Sequence, residues 1–450
     1  MSHSQSYPND PTRIPVPERA TTMPVLTEKA WRERLARIAA NPVMRADNIN
    51  LPDSAGATFS TGLLFVGLIA LVLTVLGAFV YNPRHALGAF EVGLFTATAM
   101  SLGSMFFVMA FHSVNAGWAS TVRRQFENVA SVLWVCWAML GVVVVIELLS
   151  GGVLLDWLKF DPGEQHLIDL KRPYLTGGFF IIRYLIYGLV WISISRRLFA
   201  LSRKQDETGD RMLSRKARFM SGWGILAFAL TTAFFAFDFL MSMDFRFFST
   251  MWGVYYFAST ALSSVSVVVL ILAVVRTGGR LTGAVTEEHF HDLGKLMLSF
   301  TVFWTYIAFS QYFLIWYSNI PEETAWFVYR KVAGGYRPLF LILCFGHFVV
   351  PFCILLFRKV KRTTPLLAAM GVYMIVFTVL DMIWIVRPMV YAAGYAEQNP
   401  GMGAWWLDVA GIVSPLCLWG FFVVRQVASG PLVPLKDPTM HEALNHVNYV

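Results

Sequence analysis

The sequence predicts an all-α membrane protein of ten transmembrane helices with both termini cytoplasmic, a layout that fits two four-helix bundles plus flanking helices. Three observations predict it. Ten apolar stretches run from about residue 60 to residue 427 with little polar chain between them. Of the 450 residues, 56% are hydrophobic and only 14% charged, which is a membrane composition. The stretches are also too long for barrel strands and do not alternate, and backbone in lipid must satisfy its own hydrogen bonds, so they are helices.

Residues 1–58 form a polar, proline-rich tail (Pro8, Pro11, Pro15, Pro17, Pro24). They lack the charged and apolar regions of a cleaved signal peptide. Within the tail, residues 26–40 suit a short amphipathic helix, with Trp31, Leu35 and Ile38 on one face and Arg32, Arg34 and Arg37 around it. Such a helix either lies at the lipid surface or is gripped by a neighbouring subunit. The membrane domain spans residues 59–428. Its expected spans are 60–81, 89–115, 128–152, 176–198, 218–242, 249–276, 293–318, 336–358, 365–387 and 405–427. A helix rises about 1.5 Å per residue, so each is long enough for a hydrocarbon core of about 30 Å. Bundle one covers about 89–242 and bundle two about 249–387; a short tail, 429–450, follows. The longest external segments are 153–175, 319–335 and 388–404, so the loops hold no soluble catalytic domain.

The net charge of +8 does not point to nucleic acid. With the N-terminus cytoplasmic, most Lys and Arg fall on the cytoplasmic side. Examples are Arg196, Arg197, Arg203, Lys204, Arg211, Arg215, Lys216 and Arg218 around the fourth loop, and Arg358, Lys359, Lys361 and Arg362 after span eight. This is the positive-inside asymmetry, and it agrees with an even number of spans. Cys136, Cys344, Cys353 and Cys417 all lie in spans without a C-x-x-C pattern, as small packing residues do.

Ionisable groups inside spans are costly and face the bundle interior, so each is a functional candidate. Nearly all of them fall in the outer leaflet. Glu147 in span three and Arg183 in span four lie at similar depth, about 8–10 Å below the outer boundary, and are expected to neutralise each other. Asp408 and Glu91, at span ends, suit side chains that snorkel to the interface. Asp238 and Asp381 have no cation nearby in sequence and are the proton-carrier candidates, the alternative being a structural hydrogen bond. His347 lies near mid-depth. Tyr306, Ser310 and Gln311 end a polar series in span seven that includes Ser299, Thr301 and Thr305. Asp238, Asp381, His347, Tyr306, Ser310 and Gln311 are therefore expected to line a polar path in the second half of the chain. A path opening outward suits a quinone head group or released protons. His112 and His347, the histidines inside the expected spans, sit about 35 Å and about 17 Å deep, too far apart to share one haem iron. The chain is expected to bind no haem and no metal itself.

Three stretches resemble one family. They are residues 240–259, LMSMDFRFFSTMWGVYYFAS; residues 295–324, KLMLSFTVFWTYIAFSQYFLIWYSNIPEET; and residues 431–438, PLVPLKDP. Together with ten spans, they resemble the F subunit of bacterial alternative complex III, a quinol:cytochrome c oxidoreductase, over roughly residues 60–440. Phe245 and Arg246 depart from the family pattern, in which proline and a polar aromatic follow the aspartate at Asp244. The resemblance implies a fold like the NrfD/polysulfide-reductase membrane subunits and a location in the bacterial inner membrane. It implies a homologous membrane C subunit as neighbour. It also implies extracytoplasmic partners carrying c-type haems and iron–sulfur clusters, which loops 153–175 and 319–335 would dock. Quinone or quinol is the substrate of such a complex. Two other readings fit the same residues: a structural assembly subunit with no proton path, and a stand-alone secondary transporter. The transporter fits less well, because no paired broken helices are evident.

Overall fold

The computed structural model describes residues 27–52, 54–159, 165–333, 335–391 and 404–448. The proline-rich start of the tail, residues 1–26, and most of the external segment 388–404 lie outside these. Among the described residues there are ten helices long and apolar enough to cross a membrane and no strand. They are α1 (Ala57–Val80), α2 (Pro83–Ser113), α3 (Gly117–Leu149), α4 (Gly177–Thr208), α5 (Arg211–Met241), α6 (Trp252–Thr277), α7 (Glu287–Ser318), α8 (Arg337–Leu356), α9 (Thr364–Val390) and α10 (Trp405–Ala428). The chain is a multi-pass helical membrane protein.

The helices form two closed rings. In the first, α2, α3, α4 and α5 touch in sequence and α5 returns to α2; in the second, α6, α7, α8 and α9 do the same. The rings share a wall made chiefly by α2 against α6 and α9. Small residues let this wall close: a Cβ on Gly103 would lie 2.0 Å from the Thr260 carbonyl oxygen. Accordingly α2 and α6 are the most buried spans, while α1, paired with α10, presents its apolar side chains outward.

Several spans start earlier than their apolar runs. The largest difference is in α3, whose first half, Ser120–Ser131, is polar yet buried throughout. Sequence hydropathy leaves residues 120–127 outside the third span because they carry Arg123, Arg124, Gln125 and Glu127. The structure buries these charges by pairing them. Arg123 donates to Glu127 Oε1 at 3.0 Å and to Asp437 Oδ2 at 2.6 Å. Arg124 donates to Asp206 Oδ2 at 2.6 Å and lies 3.6 Å from Glu127 Oε2.

The C-terminal PLVPLKDP stretch is thus a strap across the face that carries the termini. The Leu435 amide donates to Asp206 Oδ1 at 2.7 Å, and Gln125 donates to the Leu432 carbonyl at 2.7 Å. The Leu432 amide donates to the Ile49 carbonyl at 2.8 Å, which ties the two terminal segments together. The helix Glu28–Ala40 does not lie free on lipid: Trp31 and Ile38 are buried, and the Trp31 indole donates to the Gly209 carbonyl at 2.9 Å.

A buried charge stripped of its partner costs about 3–5 kcal/mol, far more than the intact pair contributes. Asp437→Ala is therefore expected to lower stability by about 3 kcal/mol, read as a drop in melting temperature of the purified chain. Burial raises the Asp437 carboxyl, but the Arg123 charge and hydrogen bonds from Arg123 and Thr439 outweigh it and hold the group down, to about 2. A depressed folded value means that this stabilisation is complete above the ordinary 3.8 and is lost as pH falls toward 2. Its loss should appear as a fall in melting temperature below pH ~4 that Asp437→Asn does not show.

Candidate functional site

Each ring buries one carboxylate on its fourth helix, near the face opposite the termini. The two have different surroundings. In the first ring, Asp238 sits on a π-helical turn, Phe237–Met241, at the end of α5 and is fully buried. Wider turns of this kind re-aim a side chain inward. Arg183 grips Asp238 with two bonds of 2.8 Å, Nε to Oδ2 and Nη2 to Oδ1. The Tyr187 hydroxyl donates to Oδ2 at 2.5 Å. Arg183 also donates to the Tyr174 carbonyl at 2.9 Å and stacks on the Tyr174 ring at 3.9 Å.

This corrects the expected Glu147–Arg183 pair. Glu147 turns instead to backbone, accepting from the amides of Val153, Leu154 and Leu155 at 2.8, 2.9 and 3.2 Å. Gly151 and Gly152, at φ +65° and +95°, fold the chain back to make that cradle. Asp238 has no cation nearby in sequence, but the fold brings Arg183 of α4 to it.

In the second ring, Asp381 of α9 is fully buried and, among the described residues, accepts from three neutral donors: Tyr255 Oη, Ser259 Oγ at 3.0 Å and Trp304 Nε1 at 3.1 Å. Tyr255 and Ser259 come from α6 and Trp304 from α7. The Trp304 ring also packs against the His347 ring, with centroids 3.9 Å apart. His347 also lies on a π-helical turn, Leu343–Val349, and is fully buried. Neither of its ring nitrogens makes a hydrogen bond among the described residues. Gln311 is buried on the inner stripe of α7, two turns from Trp304, with both amide atoms likewise unbonded. That spacing puts Gln311 about 10 Å from Trp304 along α7, toward the face opposite the termini.

The structure therefore brings Asp381 and His347 together through Trp304, with Gln311 on the same stripe. Asp238 belongs to the other ring. Tyr306 does not line the path. It lies two residues, about 200°, around the helix from Trp304 and is 64% exposed on the outer surface. Ser310 is half-buried. The other three hydroxyls of the series serve their own helix: Ser299, Thr301 and Thr305 donate to carbonyls four residues back. Tyr255, Ser259 and Trp304 are site residues that sequence reasoning missed. Tyr255 and Ser259 lie within the 240–259 motif and Trp304 within the 295–324 motif, so the motifs held the signal.

Two arginines cap the end of α9. Pro388 has no N–H to give the Trp384 carbonyl, and Arg330 Nε donates there at 3.1 Å while Nη2 reaches the Ile385 carbonyl at 2.8 Å. Burial pulls the Arg330 guanidinium down, to about 9, which leaves it charged at neutral pH. Arg84 donates to the Val390 and Met389 carbonyls at 3.1 and 2.9 Å. Loop 319–335 is partly folded inward, its Trp326 buried against Trp252, Phe247 and Trp384.

Asp408 pairs with His85 at 3.0 Å and Arg387 at 3.3 Å, and Glu91 is buried rather than snorkelling. His85 falls inside α2 because that helix starts earlier than its apolar run. Its second nitrogen is taken by Tyr391 at 2.5 Å. No protein-family model and no curated protein matches this chain. Its geometry is that of a multi-pass helical membrane protein in which the buried carboxylate on the fourth helix of one ring is locked by an arginine, and that of the other ring is held, among the described residues, by neutral donors.

Proposed function

We propose that this chain is a membrane subunit of a quinol-oxidising complex of the alternative complex III type in a bacterial inner membrane. In this reading it binds no cofactor itself, and it supports proton transfer and the quinone-site architecture while partner subunits carry the haems and iron–sulfur clusters. The resemblance of residues 240–259, 295–324 and 431–438 supports the family. One observation supports the proton role: Asp381, His347 and Gln311 are buried polar groups in one ring that form no ion pair among the described residues. Buried polar atoms in folded proteins are nearly always bonded, so the free nitrogens of His347 and the free amide of Gln311 call for water or a polar substrate. A carboxyl held by a tyrosine, a serine and an indole can take up and pass on a proton without breaking an ion pair.

Asp238 favours a second role for the first ring. Its bidentate arginine and tyrosine bonds suit a structural pin, which supports the assembly-subunit reading for that half of the molecule.

A mild-detergent pull-down of the tagged chain from its native membrane, with a haem stain and mass spectrometry, tests the reading. A multihaem cytochrome c, an iron–sulfur subunit and a second ten-helix protein are expected to co-purify. A haem-free monomer or homodimer overturns it and favours a transporter.

A further inference from the structure

A groove of about 510 Å³ runs along the outer face of α5 near the face carrying the termini, lined by Arg215, Arg218, Phe219, Gly222 and Trp223. These positions follow one another at i, i+3, i+4, i+7 and i+8, which is a single helical stripe. All five are exposed. Among the described residues Arg218 has no acidic partner, and Arg215 reaches only Met212 Sδ at 3.8 Å.

Gly222 makes the notch. Glycine inside a helix costs about 1 kcal/mol relative to alanine, and internal packing does not require it here, because a Cβ would meet nothing within 4 Å. Below the arginines the stripe continues as exposed apolar surface: Phe219, 80% exposed, then Trp223, Leu226 and Leu230. Eight residues separate Arg215 from Trp223, about 12 Å along the axis. The order is thus two guanidinium groups at the membrane boundary, a notch, and an aromatic-to-aliphatic track leading into the hydrocarbon.

We infer that this groove binds an anionic phospholipid of the leaflet on the termini side. Its phosphodiester would lie between Arg215 and Arg218, and an acyl chain along Phe219, Gly222 and Trp223. Guanidinium groups match phosphate oxygens two at a time, and the headgroup ammonium of a zwitterionic lipid is repelled by the same pair. Basic sites at the cytoplasmic boundary of membrane helices recognise such headgroups.

The test uses the full chain in nanodiscs of phosphatidylcholine carrying a minor fraction of phosphatidylglycerol, released into native mass spectrometry. The wild type is expected to retain phosphatidylglycerol in clear excess over its share of the bilayer. Arg215→Gln with Arg218→Gln should reduce that retention about tenfold. Gly222→Leu, which fills the notch in open space and keeps both charges, should reduce it as well. The melting temperature of each variant, expected to match the wild type, reports folding independently. Retention that mirrors bilayer composition in the wild type overturns the proposal, and so does equal enrichment in the wild type and the double variant.

Discussion

Replacing Arg183 by glutamine is expected to destabilise the membrane domain by about 3–5 kcal/mol, because it leaves Asp238 buried without its counter-ion. Both side chains are almost completely buried, and the guanidinium makes two parallel 2.8 Å bonds to the carboxylate. The fork geometry of arginine suits this contact and a lysine could not reproduce it. The same arginine stacks on Tyr174 and Phe179 at 3.9 and 4.5 Å, so its loss also loosens the segment that leads into α4. Asp238→Asn alone should cost a similar amount, since it leaves the arginine uncompensated. The double variant Arg183→Gln/Asp238→Asn removes both charges and is expected to lose much less stability than the two single losses added together. Thermal unfolding of the three variants in one detergent checks this. Losses that simply add would show that the pair is not coupled and would return Asp238 to the proton-carrier candidates.

The error in the expected Glu147–Arg183 pairing has a physical origin. Hydropathy fixes how deep a residue lies along its helix, and on depth alone Glu147 and Arg183 match. It does not fix which way a side chain points around the helix, nor does it reveal that Gly151 and Gly152 fold a turn whose amides satisfy Glu147. The ten spans were legible because they need only length and apolarity. The polar half of α3 was not, because Arg123, Arg124 and Glu127 read as solvent-exposed until Asp206 and Asp437, distant in sequence, are seen to pair with the two arginines. Tyr306 shows the same limit on a smaller scale. A polar series along α7 was visible, but 100° per residue sends Tyr306 outward while Trp304 and Gln311 face in. Asp381 and His347 were legible as candidates because a buried ionisable group in a span is rare. That Trp304 joins them was not, since an indole in a membrane helix reads as apolar bulk.

Asp381→Asn is expected to lower quinol turnover of the intact complex by about 10²–10⁴-fold, the usual range for loss of a positioned acid–base group, while leaving assembly in place. The structural cost should be small. Asparagine has nearly the same shape, its carbonyl oxygen can still accept from Trp304, and its amide can donate to a Tyr255 or Ser259 hydroxyl that rotates to accept. What it cannot do is take up and release a proton. Trp304→Phe separates positioning from proton transfer: it keeps a ring against His347 but removes the indole N–H that holds Asp381 Oδ2, so it should lower the rate less than Asp381→Asn does. The measurement is turnover with simultaneous proton release in reconstituted vesicles, normalised to haem content so that loss of complex is not mistaken for loss of rate. An Asp381→Asn complex that retains its haem subunits and its full rate would show that the second-ring carboxyl is a structural hydrogen-bond acceptor. A normal rate for Trp304→Phe beside a dead Asp381→Asn would place the carboxyl on the path and show that the indole N–H bond to it is not required.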